Sequence, residues 1–220
     1  MAKEKVIVIS IDAMFNSDLA VMKDKKNIGS LLQNSARADY IHCVYPTYTY
    51  PCHASIMTGC YPNKHGICHN ELFQVNAKSH DWYWWRKNIR VKTMVDVARE
   101  NGLTTSTVCW PVMCGNDASD FTIGEIWAEN SDADPTPRFD AANTPSVKHI
   151  FEKHKSELAF MKTPEFDIFA TNCAIDIIKE FSPDLMFVHL SYVDHQRHKC
   201  GKETEKILHA IDFVDDQIGK

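Results

Sequence analysis

A threonine, two aspartates and a histidine each stand where a secondary-structure element is predicted to begin or end. Thr49 lies in "YPTYTYPCHASIMTG", just ahead of Pro51, which suits the first turn of a helix running through "CHASIMTG". The free N–H groups and the positive dipole end of that helix would face a bound phosphate. A hydroxyl is a poor nucleophile at neutral pH, but metal coordination favours its alkoxide form. The alternative is that Thr49 is an ordinary N-cap.

The two aspartates follow apolar runs. Asp12 closes "VISID", at the predicted carboxyl end of the first strand, where open α/β sheets bind ligands. Taken alone, Asp12 is better explained as a helix N-cap. Asp194 closes another run in "SYVDHQRH", and His198 follows four residues later. In a helical turn this spacing places carboxylate and imidazole on one face, where they could hold a divalent metal, although a solvated turn explains the pair equally well.

Composition excludes several classes of protein. The chain has 220 residues, 44% hydrophobic and 24% charged, which is the balance of one globular unit with a sizeable core. Its net charge is −5 and it has no long Lys or Arg run, so no nucleic-acid-binding surface is predicted. The start, "MAKEKVIVISID", lacks the apolar region of a signal peptide, and no segment approaches the roughly 20 apolar residues of a membrane span. We therefore expect a cytoplasmic protein without a membrane partner, its eight cysteines mostly buried as small hydrophobes.

Short apolar runs alternate with amphipathic segments along the chain. Strands are predicted at 5–11, 104–110 and 184–193, with 38–45 as a fourth candidate, and helices at 93–101, 144–154, 166–181 and 203–218. Gly102 and Gly219 are the expected C-caps. Residues 122–143 are predicted to form a long loop. The alternation predicts an α/β fold with a largely parallel sheet flanked by helices.

Three blocks in this order, "VISIDAM", "YPTYTYPCHASIMTGCYPNKHGICHN" and "YVDHQRH", resemble the nucleotide pyrophosphatase/phosphodiesterase branch of the alkaline phosphatase superfamily. The second block carries the long pattern P-T-x-T-[FY]-P-x-H, then T-G-x-Y-P-x-x-H-G-I and an Asn. "VCWP", which contains Trp110, is similar to the family's Trp-Pro near the substrate pocket. The resemblance runs from Val6 to Gly219. It implies an alkaline-phosphatase-like fold in which residues 1–220 form the N-terminal part of one catalytic domain.

The resemblance also implies a role for each matching residue. Thr49 corresponds to the nucleophile, which also binds metal, and Asp12 to a ligand of the same ion. Asp194 and His198 correspond to ligands of a second ion, and the Asn70 amide to a donor to a phosphoryl oxygen. The implied cofactors are two divalent ions, zinc in the first place, although manganese or iron would also suit mixed Asp and His ligands. The implied substrate is a small phosphate ester or a nucleotide.

Other residues in these blocks have packing roles in this interpretation. His53, His65 and His69 are expected to support the loop and the helix, and His195 should point away from the face shared by Asp194 and His198. The aromatic cluster "DWYWW" at 81–85 is expected to cover a hydrophobic edge, with stacking on a base or a leaving group as the alternative.

The sequence also departs from the family pattern. The family completes its metal sites with an Asp-His-Gly turn and a later His beyond the D-x-x-x-H block, and these residues contain no Asp-His-Gly and only 22 positions after His198. We therefore expect two ligand-poor sites and low activity from these residues alone. Alternatives are a phosphomonoesterase, a phosphonate hydrolase or a phosphoglycerate mutase of the same superfamily, or a non-catalytic nucleotide-binding relative. A sulfatase is disfavoured because its Cys-or-Ser-x-Pro-x-Arg signature is missing. The physiological substrate and the oligomeric state are not predicted.

Overall fold

A parallel sheet forms the centre of the computed structural model, which describes residues 4–76, 80–127, 133–158, 164–202 and 204–220. Its strands are β1 (Val6–Ile11), β2 (Thr105–Val108), β3 (Phe121–Ile123) and β4 (Leu185–Leu190). They lie in the order β1-β4-β2-β3, and all three pairings are parallel. The predicted parallel α/β architecture is confirmed.

Helices connect and flank the strands. The α-helices are α1 (Leu19–Met22), α2 (Lys26–Gln33), α3 (Thr49–Thr58), α4 (Pro62–His65), α5 (Met94–Glu100), α6 (Thr136–Ala142), α7 (Lys148–His154), α8 (Glu165–Phe181), α9 (Tyr192–Cys200) and α10 (Glu205–Ile218). Short 3-10 turns cover Asn16–Asp18, Arg86–Asn88, Pro145–Val147 and Lys155–Leu158. None of the helices in the described ranges is long and apolar enough to cross a membrane.

The core is densest around β4 and β2, which are almost wholly buried. Helix α8 packs on β4, β2 and β3, and its Phe169 and Ile177 are completely buried. β1 pairs with β4 from Val6 opposite Leu185 to Ile11 opposite Leu190. Within the described ranges β1 has no strand on its other side, and Val6 is 52% exposed.

Side-chain caps explain where several helices begin and end. Thr93 starts α5 with a capping box, because its Oγ1 accepts from the Asp96 N–H at 3.1 Å while the Asp96 carboxylate accepts from the Thr93 N–H at 2.7 Å. Gly102 follows α5 at φ +73°, as its predicted capping role requires. Asp215 of α10 accepts from the N–H groups of Asn27 and Ile28 at the start of α2. These contacts anchor α2 to α10.

Several sequence expectations were wrong in detail. The candidate strand at 38–45 is irregular, and its Tyr40 and Ile41 are exposed because no described strand lies alongside them. The run at 184–193 stops being a strand at Leu190, since α9 begins two residues later. The predicted loop at 122–143 contains most of β3 and all of α6, while its residues 128–132 lie outside the described residues. The helix at 144–154 opens as a 3-10 turn.

The last helix and the cysteines also differ from expectation. Helix α10 begins at Glu205, and position 203 of the predicted helix lies outside the described residues. Gly219 ends α10 at φ −71°, a conformation open to any residue. All eight cysteines are free thiols, but fewer than half are buried, namely Cys109, Cys114 and Cys173. The expectation that most of them fill the core was therefore wrong.

Candidate active site

Thr49 and Asp12 meet at the carboxyl end of the sheet. Asp12 directly follows β1, and Thr49 is the first residue of α3. The Thr49 hydroxyl donates to Asp12 Oδ2 at 3.2 Å. Tyr48, not Thr49, occupies the N-cap position, and no side-chain hydrogen bond caps α3 there. The hydroxyl is therefore directed at a carboxylate on a neighbouring element rather than at its own helix.

Asn70, the last residue of the sequence block that contains Thr49, contacts the first turn of α3. Asn70 Oδ1 accepts from the Tyr50 N–H at 3.0 Å. The expectation of free N–H groups at this helix end needs correction, because the N–H of Tyr50 is bonded and Pro51 has none. Since Oδ1 accepts this bond, the Asn70 amide nitrogen is the donor group of that side chain, which is held at the residue after Thr49.

Both oxygens of Asp12 have defined neighbours. Oδ1 accepts from the N–H of Ala13 at 2.9 Å, where the chain turns at φ +54°. Oδ2 accepts from Thr49 and lies 3.6 Å from Nε2 of His189. Burial raises the pKa of Asp12, but the interactions with His189, His53 and Thr49 outweigh burial and lower it to about 2. Asp12 is thus a carboxylate at neutral pH.

His53 connects the start of α3 to β1 by two hydrogen bonds. Its Nδ1 donates to the Thr49 carbonyl at 2.8 Å, so Nε2 is left to accept from the Ser10 hydroxyl at 2.9 Å. Burial and the charge of His189 lower the pKa of His53 to about 4, which keeps the ring neutral. His65 is also buried and contacts the Ser55 hydroxyl, while the ring of His69 packs at a tilt against that of Tyr48. These are packing contacts of the predicted kind.

Asp194 and His198 lie on one face of α9, and their side chains are 3.4 Å apart, Oδ1 to Nε2. The pair is therefore on a helix and not at a strand end. Burial, and after it the charge of Asp12, raises the pKa of Asp194. The charge of Asp12 therefore acts on this second pair. His198 is 79% exposed at its side chain, and the neighbouring His195 has its pKa lowered by burial.

Helix α9 is held at its start by a buried carboxylate from α8. Asp167 is fully buried and accepts from the N–H groups of Ser191 and Tyr192 at 2.9 and 3.0 Å. Those N–H groups lie at the positive end of α9, where a negative charge is stabilising. Asp167 therefore sets the position of Asp194 one turn further along.

Sequence reasoning missed two buried ionisable residues, His189 on β4 and Glu125 after β3. They are 1% and 3% exposed, with His189 Nδ1 3.8 Å from Glu125 Oε2. Burial lowers the pKa of His189, but the carboxylates of Glu125 and Asp12 outweigh burial and raise it to about 9. Burial raises the pKa of Glu125 to about 8. The available signal was a polar residue inside each of two apolar runs, "MFVHL" and "TIGEIW".

Trp110 does not lie on a surface that a substrate can reach. It is 1% exposed and packs edge-on against His53 and Phe187. This position in the core argues against the predicted substrate contact of Trp110. In the cluster at 81–85, Trp84 is buried and Trp82 packs edge-on against Tyr50 and Trp127, so these two rings cover the core.

The donor atoms at this site suit divalent metal ions. In the part of the chain that the structure describes, no three His, Cys, Asp or Glu residues come together as a metal-binding group. Two smaller sets are present, Asp12 with the Thr49 hydroxyl and Asp194 with His198. Carboxylate, hydroxyl and imidazole are ligands that zinc and similar ions accept. The residues therefore fit such ions, with few protein ligands for each.

The described parallel sheet, with the pairs Asp12–Thr49 and Asp194–His198 beyond its strand ends, has an alkaline-phosphatase-like α/β fold. Solved structures support this class. Murine ectonucleotide pyrophosphatase/phosphodiesterase 5 matches with a TM-score of 0.61 at 16% identity, over 98% of this chain and 51% of that one. Phosphonoacetate hydrolase from Sinorhizobium meliloti matches with a TM-score of 0.65 at 16% identity, over 98% and 52%.

The chain belongs to the type I phosphodiesterase/nucleotide pyrophosphatase family, whose sequence model matches residues 6–220. Bovine ectonucleotide pyrophosphatase/phosphodiesterase family member 3 is 25% identical over 203 residues, which are 88% of this chain and 19% of that protein. Bovine bis(5'-adenosyl)-triphosphatase is 27% identical over 98% of this chain and 42% of its own length. The chain thus spans less than half of these curated relatives and about half of the solved chains.

Proposed function

We propose that the chain provides the nucleophile and part of the metal site of a hydrolase acting on phosphodiesters or nucleotide pyrophosphates. The observation that carries the proposal is the hydrogen bond from the Thr49 hydroxyl to Asp12, at the carboxyl end of a parallel sheet. A threonine that merely capped α3 would direct its oxygen at the helix N–H groups. Here it is paired with a carboxylate that stays ionised at neutral pH.

Asp12 orients Thr49 and is a poor proton acceptor. A carboxylate with a pKa of about 2 takes very little proton at neutral pH, so Asp12 is unsuited to be the general base. Divalent ions, held by Asp12 with Thr49 and by Asp194 with His198, would favour the alkoxide of Thr49 and stabilise charge on the phosphoryl oxygens. The protein's own contribution is then to hold Thr49 Oγ1 at a fixed place and angle.

The proposed reaction has two displacements. Thr49 Oγ1 loses its proton to solvent and forms a bond to phosphorus while the bond from phosphorus to the leaving oxygen breaks, which releases an alcohol or a phosphate. The other ester group stays on phosphorus, so the intermediate is a phosphodiester of Thr49. Water then attacks the same phosphorus, Thr49 leaves and regains a proton, and a phosphate monoester is released. The Asn70 amide nitrogen would donate to a non-bridging oxygen, a role supported by the bond of the Tyr50 N–H to Oδ1 of the same side chain, which leaves the amide group as its donor.

Family membership supports a phosphate-ester substrate. One relative is a bis(5'-adenosyl)-triphosphatase, and an inactive variant of a structural neighbour was solved with AMP. A nucleotide or another small phosphate ester is therefore the substrate class that we propose. Another neighbour is a phosphonoacetate hydrolase, which makes a phosphonate the second candidate.

The test is hydrolysis by the full-length gene product. Wild type should release nitrophenol from the nitrophenyl ester of thymidine monophosphate in a metal-dependent manner, and a chelator should abolish the release. Thr49→Ala should reduce turnover at least 10³-fold, whereas Thr49→Ser keeps a hydroxyl and should retain part of it. Brief acid quenching should trap the thymidine monophosphate group on the peptide that contains Thr49. Undiminished turnover in the Thr49→Ala protein would contradict the assignment.

The substrate class is tested with the same protein. Turnover of phosphonoacetate but not of the nucleotide ester would favour the phosphonate alternative. Binding of AMP at full metal occupancy without hydrolysis of any ester would favour a non-catalytic nucleotide-binding relative.

A further inference from the structure

His189 has a ring nitrogen that no hydrogen bond accounts for. The ring is 1% exposed, and Nδ1 lies 3.2 Å from the carbonyl oxygen of Cys109. Nε2 is buried and has no hydrogen-bond partner among the residues that the structure describes. Its neighbour on the site side is Asp12 Oδ2, the oxygen that also accepts from Thr49. A buried, unpartnered nitrogen at a site is costly unless something binds it.

The contact with the Cys109 carbonyl determines which ring nitrogen of His189 carries a proton. A carbonyl oxygen can only accept, so Nδ1 must carry the proton and donate. In the neutral form of the ring the lone pair is then on Nε2, which lies 3.6 Å from Asp12 Oδ2. A metal-binding histidine commonly shows this arrangement, in which one nitrogen donates to a backbone carbonyl and the other binds the ion.

The separation of the two candidate donors also fits a shared ion. His189 Nε2 and Asp12 Oδ2 are 3.6 Å apart, which exceeds a normal hydrogen bond of about 2.7–3.2 Å. Two atoms bound to one tetrahedral zinc, each at about 2.0–2.1 Å, lie about 3.4 Å apart.

We propose that Nε2 of His189 is a further ligand of the ion held by Asp12 and Thr49, a divalent ion of the zinc class. This inference rests on the proposed function, because it adds a ligand to that metal site. It gives this ion carboxylate, hydroxyl and imidazole donors from β1, α3 and β4.

Glu125 has a supporting position behind this ligand. Its Oε2 lies 3.8 Å from His189 Nδ1 and has no hydrogen-bond partner in the described ranges. In its ionised form Glu125 would stabilise the positive charge that a bound metal induces in the ring. The competing explanation is that His189 is a permanent imidazolium that only neutralises Asp12 and Glu125.

Metal titration separates these explanations. Zinc affinity is measured on the full chain by competition with a chromophoric chelator, for wild type, His189→Gln and the control His209→Gln, whose histidine is 72% exposed on α10. We expect His189→Gln to weaken zinc binding at least tenfold and His209→Gln to leave it unchanged. Equal affinities in wild type and in a folded His189→Gln protein would overturn the proposal.

A second measurement uses the wild-type protein, so it does not depend on whether a His189 variant folds. In wild type with nitrogen-15-labelled histidine, zinc should move the Nε2 resonance of a ring whose Nδ1 keeps its proton. Zinc binding that leaves this resonance where it was would establish the permanent imidazolium instead. Neither readout requires turnover, so loss of the proposed hydrolysis with intact zinc coordination by His189 would sink the proposed function alone. Hydrolysis with no change at His189 would sink only this inference.

Discussion

The Thr49 hydroxyl reaches the Asp12 carboxylate at 3.2 Å although 37 residues separate them in the chain. The contact exists because β1 delivers Asp12 to the carboxyl end of the sheet and α3 starts beside it. Asn70 also contacts the first turn of α3, because its Oδ1 accepts from the Tyr50 N–H. The start of α3 is therefore held by polar contacts on both sides.

Asn70 should contribute separately to stability and to catalysis. Asn70→Asp keeps an oxygen for the Tyr50 N–H but loses the amide donor and adds a negative charge, while Asn70→Ala loses both contacts. We expect both variants of the full-length protein to lose about 10²–10³-fold in kcat/KM. Only Asn70→Ala should lower the free energy of unfolding, by about 1 kcal/mol. Steady-state kinetics with urea unfolding checks this, and wild-type turnover in Asn70→Asp would exclude the amide as a donor.

His53 should make the metal-free protein sensitive to acid. Burial lowers its pKa in the folded state to about 4, below the ordinary 6.5 of the unfolded chain. The unfolded chain therefore binds the proton first, and stability falls as pH drops from 6.5 to 4, by up to about 3 kcal/mol. His53→Asn keeps a donor for the Thr49 carbonyl and should remove this slope. Asp12 adds acid sensitivity only between its ordinary pKa of 3.8 and about 2.

Urea unfolding at pH 7, 6, 5 and 4.5 measures the His53 effect. The expected result is a smaller loss of unfolding free energy between pH 7 and 4.5 in His53→Asn than in wild type. Identical pH dependence in the two proteins would show that His53 does not titrate as the buried ring requires.

Asp167 should be needed for the position of α9. Asp167→Ala leaves the N–H groups of Ser191 and Tyr192 without their acceptor, so we expect the free energy of unfolding to fall by about 2–3 kcal/mol. Asp167→Asn keeps one acceptor oxygen and should cost less. Thermal unfolding of both variants gives the comparison. A cost of Asp167→Ala no larger than that of Asp167→Asn would mean that these bonds contribute little.

Asp215 should stabilise the junction of α10 and α2. Its carboxylate accepts from the N–H groups of Asn27 and Ile28 and is 5% exposed. Asp215→Ala should lower the free energy of unfolding by about 2 kcal/mol, because the start of α2 loses its acceptor. Asp216→Ala is the matched control, since Asp216 is the exposed neighbour on the same helix and should change stability by less than about 0.5 kcal/mol. Equal effects of the two substitutions would rule out the capping role.

Local patterns predicted the sheet well where a run was apolar and β-branched. β4 is such a run and is buried, and β1 was predicted by the same pattern although it lies at the edge of the described sheet and is partly exposed. The run at 38–45 looked similar, but strand formation needs a neighbouring strand, and none pairs with it in the described ranges. The boundary before Asp194 was missed because no Gly or Pro separates β4 from α9.

The candidate site was predicted only in part, for a related reason. Motif residues such as Thr49 and Asp12 can be read along the chain, since their neighbours signal a helix start or a strand end. Glu125 and His189 cannot, because a buried charge acquires its meaning from partners on other strands. Trp110 is the opposite case, since the motif predicted a residue near the substrate pocket whereas the side chain is 1% exposed in the core.

The pairing of β1 with β4 has a consequence for biosynthesis. Val6 lies opposite Leu185, so β1 pairs with a strand that follows it in the chain only after β2 and β3. During synthesis β1 must therefore remain unpaired with β4 until Leu185 has emerged from the ribosome, and such long-range closure is slow. Asp12 can take up its place beside His189 only at that late stage. A nascent chain arrested before β4 would carry Thr49 and Asp12 and still have no active site.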